Sequence, residues 1–284
     1  MRRLFFATLV ALMLTASVPA SAITYGEPDN GRHPYVGLVV FYDSTNTPQW
    51  RCSGTLMSST VLLTAGHCTG FPGDGIVAAQ AWFSDYEPYG SWSGSGPCGS
   101  AKGYPCAGGV RGTPYTAAGA WESFPNTADV GVVVFKKGVS SSTYGALPPL
   151  GFLDALAAQT RTQPITVYAV GYGLKEIYPT YNSNRTRYVA SQQINDLQSS
   201  LTGGYNLRTT NAPGKGTGDG TTQSGGTCFG DSGGPVFYGG VTANLVVGIT
   251  SFGLNSNCKG GDYAFRADIS VTQDFLAGFG ITAP

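Results

Sequence analysis

The sequence predicts an all-β fold, on three observations. Short runs rich in β-branched and aromatic residues recur along the chain, each bounded by turn residues. Glycine supplies 42 of the 284 residues and charged residues only 11%, against about 25% charged in an average protein. Six cysteines follow an N-terminal stretch that reads as an export leader, a combination typical of extracellular, disulfide-stapled chains.

In chain order, Met1-Arg2-Arg3 precedes an apolar run from Leu4 to Leu14 and then Ala20-Ser21-Ala22. This is the pattern of a cleaved secretory signal over residues 1–22, with a mature, secreted chain starting at Ile23. The apolar run is shorter than the ~18 residues that cross a bilayer, so no membrane association is expected after cleavage. Arg2-Arg3 fits general or twin-arginine export alike. Without those two arginines the chain has 14 basic and 16 acidic residues, a net of −2. No basic cluster of the kind that tracks phosphates is present, so a nucleic-acid partner is not expected.

Strands are expected at Tyr35 to Tyr42, Val61 to Thr64, Ile76 to Phe83, Val130 to Phe135, Ile165 to Val170, Arg187 to Ile194 and Leu245 to Ser251. Gly239-Gly240 after Val236-Phe237-Tyr238 reads as a tight hairpin. One regular helix is expected, at the C-terminal end. There Ser270-Val271-Thr272-Gln273 has capping-box spacing, Phe275 and Leu276 can seal a barrel, and Gly278 stops the turn. The polar stretch Lys136 to Thr143, ending in Pro148-Pro149, marks a crossing. It divides the chain into residues 23–138, a linker 139–149 and residues 150–284.

Chemistry concentrates at Gly226-Thr227-Cys228-Phe229-Gly230-Asp231-Ser232-Gly233-Gly234-Pro235, where glycines allow a sharp bend that presents Ser232. A serine hydroxyl needs a base to take its proton and donors to receive an oxyanion. Only His33 and His67 could be that base. His33 sits beside Pro34 in the opening loop, whereas His67 lies in Thr64-Ala65-Gly66-His67-Cys68. A lone histidine is more often a structural residue, and an aspartate such as Asp129 is more often an ordinary strand-edge carboxylate. Asp129, however, directly precedes the run Val130 to Phe135, and His, Asp, Ser is one of the chain orders in which a Ser-His-Asp catalytic triad occurs. Other motifs are weak. Gly214-Lys215-Gly216-Thr217 has glycine where a phosphate loop needs Ser or Thr, and Gly171-Tyr172-Gly173 lacks the third glycine of a dinucleotide fingerprint. Asn184-Arg185-Thr186 meets the glycosylation pattern. No Cys-x-x-Cys occurs, so neither a metal nor a cofactor is expected.

Cys52-Ser53-Gly54-Thr55-Leu56, Val170-Gly171-Tyr172-Gly173, Ser251-Phe252-Gly253 and Gly261-Asp262-Tyr263-Ala264 occur in family order with the three motifs above. In them the sequence resembles the secreted chymotrypsin/trypsin-like serine peptidases over most of the chain after residue 22. Residues 84–125 and 174–225 match only loosely. The resemblance implies two six-stranded antiparallel barrels, the active site in the cleft between them, and a C-terminal helix. It makes Ser232 the nucleophile, His67 the base and Asp129 the residue that orients the histidine, with the N–H groups of Gly230 and Ser232 as oxyanion donors. It pairs Cys52 with Cys68 and Cys228 with Cys258, which leaves Cys98 and Cys106 for a local staple.

The same resemblance makes Gly226, Thr227, Ser251, Phe252, Gly253 and Gly261 substrate-binding. Phe252 stands where the family most often has tryptophan, and Gly131 replaces a usual alanine, a change that loosens packing. Gly226 stands where trypsin-like relatives carry a pocket-floor aspartate, and with glycine walls the slot is expected to be deep, open and apolar. A one-residue shift in alignment would instead turn Asp262 into it. Asp231 is implied to pair with the ammonium of a freed Ile23. The implied function is a monomeric secreted endopeptidase acting on proteins or peptides through an acyl-enzyme, cutting after large apolar residues. The alternatives are cleavage after Arg or Lys, a catalytically inert relative serving as a binding module, and a non-peptide acyl hydrolase. The long stretch from Asp85 to Ala120 either contacts substrate or is a disulfide-held surface loop.

Overall fold

The computed structural model describes residues 23–160, 164–175, 177, 182–183, 185–212 and 222–284. The leader, Asn184 of the glycosylation pattern and the stretch 214–217 lie outside them. The elements are β1 (Glu27–Pro28), β2 (Val36–Asp43), β3 (Pro48–Leu56), β4 (Val61–Thr64), α1 (Gly66–Thr69), β5 (Ile76–Trp82), β6 (Val110–Thr116), β7 (Gly131–Phe135), α2 (Phe152–Thr160), β8 (Ile165–Gly171), β9 (Tyr188–Asp196), β10 (Asn206–Asn211), β11 (Pro235–Tyr238), β12 (Leu245–Gly253), β13 (Gly260–Arg266) and α3 (Ser270–Ala277).

Strands β2-β3-β4-β7-β6-β5 close into one antiparallel barrel. In the second, β9-β10-β13-β12-β11-β8 closes through the β8–β9 pairing, and β1 is appended to β9. The predicted all-β, two-barrel architecture with a C-terminal helix is therefore the one observed. Closure leaves no free sheet edge in either barrel, which suits strands this short and this apolar. Leu38, Phe41, Leu62, Val132 and Val133 of the first barrel are fully buried, as are Val167, Leu207, Val236 and Val247 of the second. Tyr172, Phe237, Ile249 and Phe265 pack in the same cluster as the first barrel's residues, so the apolar core runs through the junction.

Three local expectations are corrected. Helix α2 was not foreseen, although Phe152–Thr160 is rich in Leu and Ala; it buries Leu153 over the end of the second barrel. Its backbone N–H at Leu153 donates to Asp268 at 2.8 Å, an anchor that sequence spacing of 115 residues conceals. At α3 the N-cap is Ile269, with no side-chain cap. Thr272 instead donates to the Arg266 carbonyl at 2.6 Å and Gln273 to the Pro148 carbonyl at 2.7 Å, so the residues of the expected box tie the helix to its surroundings. Finally, Tyr238 pairs with Leu245, so residues 239–244 form a longer connection than a two-residue hairpin.

His33 is spent on structure. It is completely buried, stacked on Phe237 at 5.1 Å, and its ring meets Asp29. Arg187, also buried, donates to Asp29 at 2.8 Å and contacts Asp85, which fastens the start of the 85–120 stretch to β9. Removing one partner from such a buried set costs about 3–5 kcal/mol, because the remaining charge is stranded.

Candidate active site

The histidine is placed by strand pairing. Strand β4 pairs with β7 so that Thr64 lies opposite Gly131, which brings the turn carrying His67 against the residues just before β7. The approach is close: a Cβ on Gly66 would lie 3.1 Å from the Val130 nitrogen, and one on Gly131 would lie 2.6 Å from Thr69 Oγ1. Gly131 thus makes room for Thr69, which corrects the expectation of looser packing there. Asp129 ends up fully buried. It accepts the backbone N–H of His67 at 2.8 Å and stands 2.9 Å from the imidazole Nδ1.

A third contact comes from the other barrel. Pairing between β12 and β13 slips between Thr250 and Phe252, leaving Ser251 without a strand partner. A bulge of this kind re-aims a side chain, and the Ser251 hydroxyl donates to Asp129 Oδ2. Sequence reading placed Ser251 beside substrate but missed this role, since nothing local signals a bond across 122 residues. Burial alone would raise the Asp129 carboxyl, but the charge and hydrogen bonds of His67 and the Ser251 donor hold it below the usual carboxylate value. Burial likewise disfavours the imidazolium of half-buried His67, yet the charge and hydrogen bond of Asp129 prevail, and its pKa lies above 6.5.

Ser232 sits in a turn bracketed by Gly230 (φ +95°) and Gly233 (φ +77°), conformations that glycine adopts without strain. A Cβ on Gly233 would fall 2.0 Å from Thr64 Oγ1, so only glycine permits this approach to the first barrel. Ser53 clamps the turn: its N–H donates to the Ser232 carbonyl at 2.8 Å and its hydroxyl to the Gly230 carbonyl at 3.0 Å. Ser232 and His67 line one cleft of about 260 Å³, with no hydrogen bond joining them among the described residues. The N–H groups of Gly230 and Ser232 likewise donate to no described protein acceptor, whereas the neighbouring N–H of Asp231 bonds to the Cys228 carbonyl.

The cleft is walled by Thr227, Cys228, Ser251, Phe252, Gly253 and Gly261. Phe252 is stacked on Tyr263 at 4.6 Å and meets Trp121 edge-on at 5.5 Å. Gly226 does not line it. The space where a side chain at 226 would project is filled by Asn211, 1.9 Å from such a Cβ. Asp262 is also among the lining residues, buried and with its carboxylate taken up by protein donors. That carboxylate accepts from Asn211 at 2.6 Å, Gln192 at 2.8 Å and the Thr227 N–H at 2.5 Å. Burial pushes its pKa up to about 6, against the pull of those donors.

Asp231 is held by the backbone N–H groups of Gly173 at 2.7 Å and Cys228 at 2.9 Å. The expected contact with Ile23 is not made among the described residues. Ile23 is buried against Ala169, Tyr188 and Ala190, and in the continuous chain its nitrogen is an uncharged amide that cannot form the expected ion pair. Disulfides join Cys52 to Cys68, Cys98 to Cys106 and Cys228 to Cys258. Among the described residues, the one set of three metal-capable side chains close together is Cys52, His67 and Cys68. Both its sulfurs are consumed in a disulfide, so it cannot act as a thiolate site.

A family model described as Trypsin matches residues 110–276. Among solved structures, HL collagenase aligns with a TM-score of 0.61 and 17% identity over 93% of this chain and 100% of its own. An inactivated protease paralogue of the scabies mite aligns at 0.58 with 13% identity, over 94% and 100%. The protease Anisep from Arthrobacter nicotinovorans aligns at 0.55 with 16% identity, over 88% and 95%. No curated protein matches in sequence. No helix among the described residues is long and apolar enough to cross a membrane.

Proposed function

Because this chain belongs to the trypsin family, we propose that it is a secreted serine endopeptidase acting as a monomer on proteins or peptides. The observation that carries this is the held pair His67–Asp129 facing Ser232 across one cleft, with two unspent N–H groups beside the serine. Ser232 Oγ attacks the scissile carbonyl carbon as His67 Nε2 takes its proton, and the oxyanion is received by the N–H groups of Gly230 and Ser232. Collapse expels the amine, which takes the proton from His67. Water then hydrolyses the acyl-enzyme by the same route.

In this reading residues 1–22 are the removed signal. Residues 23–138 and 150–284 carry the two barrels and 139–149 the crossing, so the triad forms only where the barrels meet. Large apolar side chains fit the glycine-walled cleft beside Phe252, with about 1.5–3 kcal/mol from burial. The Asp262 carboxylate favours a second reading, cleavage after Arg or Lys, because it lines the cleft and has no cationic partner among the described residues.

The inert alternative has a precedent among the structural neighbours in the inactivated mite paralogue. An organophosphonate probe separates the two. Covalent labelling of Ser232 that disappears in His67→Ala supports the enzyme, and a correctly folded protein starting at Ile23 that stays unlabelled favours the inert alternative.

A further inference from the structure

A second cleft, of about 250 Å³, adjoins the cleft that holds His67 and Ser232 at the nucleophile turn, sharing Phe229 with it and reaching Gly230. Arg51, Tyr89, Tyr104, Ser183, Phe229 and Gly230 line it. Phe229 lines both clefts and is 57% exposed, so it forms the ridge between them. A peptide whose acyl part lies along Ser251 to Gly253 and whose carbonyl oxygen meets Gly230 sends its leaving part toward this second cleft.

The chemistry of the cleft is cationic and aromatic. Arg51 Nε lies 3.3 Å from where a Cβ on Gly230 would stand, so the guanidinium borders the oxyanion glycine. One of its nitrogens donates to Ser183 at 2.8 Å. A guanidinium has five N–H donors; the Tyr104 hydroxyl takes another of them and buried Asp231 feels its charge, but no carboxylate among the described residues forms an ion pair with Arg51. Tyr89 and Tyr104 come from the long 85–120 stretch and are built into place. Tyr89 and Tyr104 bridge their backbones, Gly90 donates to the Tyr104 carbonyl at 2.7 Å, and the Cys98–Cys106 disulfide closes the loop. Behind them Arg185 lies over the Tyr89 ring at 4.3 Å and adds a second positive charge.

We propose that this cleft is a leaving-group-side subsite selecting an acidic side chain one or two residues after the scissile bond, read by Arg51. A carboxylate there completes the guanidinium's donors with charge-assisted bonds, while its methylenes lie on the tyrosine faces. The 85–120 stretch is then a specificity element. The inference rests on the endopeptidase reading above.

The test uses the mature protein and peptides identical except for Glu, Gln or Lys at each of the two positions after the bond. Glu over Gln by about tenfold in kcat/KM at one of them is expected, the scale of one hydrogen bond to a charged group. Added NaCl should shrink the ratio, since a partly exposed pair is screened. In Arg51→Gln the ratio should fall to about 1, whatever happens to the overall rate. A flat Glu:Gln ratio, a preference for Lys, or a ratio surviving Arg51→Gln overturns the subsite. Should that variant not fold, capture of the acyl-enzyme by glutamic acid amide against glutamine amide decides the matter on wild-type protein alone. An ester substrate with no residues after the bond separates the two readings: no turnover overturns both, whereas turnover with a flat ratio overturns only the subsite.

Discussion

Asp129 grips His67 at two points, accepting its backbone N–H at 2.8 Å and lying 2.9 Å from its imidazole Nδ1. Position and tautomer of the ring are therefore set by one buried carboxylate, which leaves Nε2 to face the cleft. Asp129→Asn keeps the shape but offers the ring an amide, and kcat should fall by about four orders of magnitude, the scale this change has in trypsin-like triads. Stopped assays with a peptide substrate check it, and a variant within tenfold of wild type excludes the proposed mechanism.

The acid limb of activity is the second prediction. Only neutral imidazole accepts the serine proton, and the charge of Asp129 outweighs burial to hold His67 above 6.5. Activity should therefore rise with pH with a midpoint above that value. Ser251→Ala removes a donor from Asp129 and should lower kcat about three- to tenfold, the worth of a hydrogen bond of roughly 1 kcal/mol. KM should stay nearly constant if Ser251 acts through Asp129, and a rise in KM alone would instead assign it to substrate contact.

The third prediction concerns Asp262. Its folded pKa of about 6 exceeds the ordinary 3.8. The folded state therefore holds this proton more tightly than the unfolded one. The resulting stability is present below about 4 and is lost as pH rises through about 6. Asp262→Asn should flatten the decline of Tm across that window. The same variant arbitrates specificity: unchanged cleavage after Phe or Leu fits the apolar reading, and loss of cleavage after Arg establishes the basic one.

The fourth concerns activation. Burial pushes Asp231 up to about 7 although Gly173 and Cys228 donate to it. The sign is the same as for Asp262: stability is fully present below the ordinary 3.8 and lost as pH rises through about 7. A free Ile23 ammonium reaching Asp231 would lower that pKa and remove the decline. A chain starting at Ile23 should therefore be active and lose only the Asp262 part of its stability between about pH 4 and 7, whereas one retaining Ala22 should fold, show the larger decline from both carboxyls over that window and be nearly inactive. Equal activity of the two forms would rule out the pairing.

The sequence alone determined the fold class, because short apolar runs bounded by glycine admit few structures besides closed antiparallel sheets. It also singled out His67, Asp129 and Ser232, since their neighbouring residues form local motifs that can be read a few positions at a time. It did not reveal α2, whose anchor on Asp268 lies 115 residues away. Only the tertiary structure decided the character of the cleft. Whether a side chain at 226 or 262 lines it depends on the register of β10 against β13, which sets Thr209 opposite Asp262 and Asn211 opposite Gly260. Since alternate residues of a strand face opposite sides, a shift of one position exchanges a glycine wall for a carboxylate. The roles of Ser251 and Ser53 were equally hidden: each joins segments more than a hundred residues apart, and such bonds exist only once the two barrels are packed together.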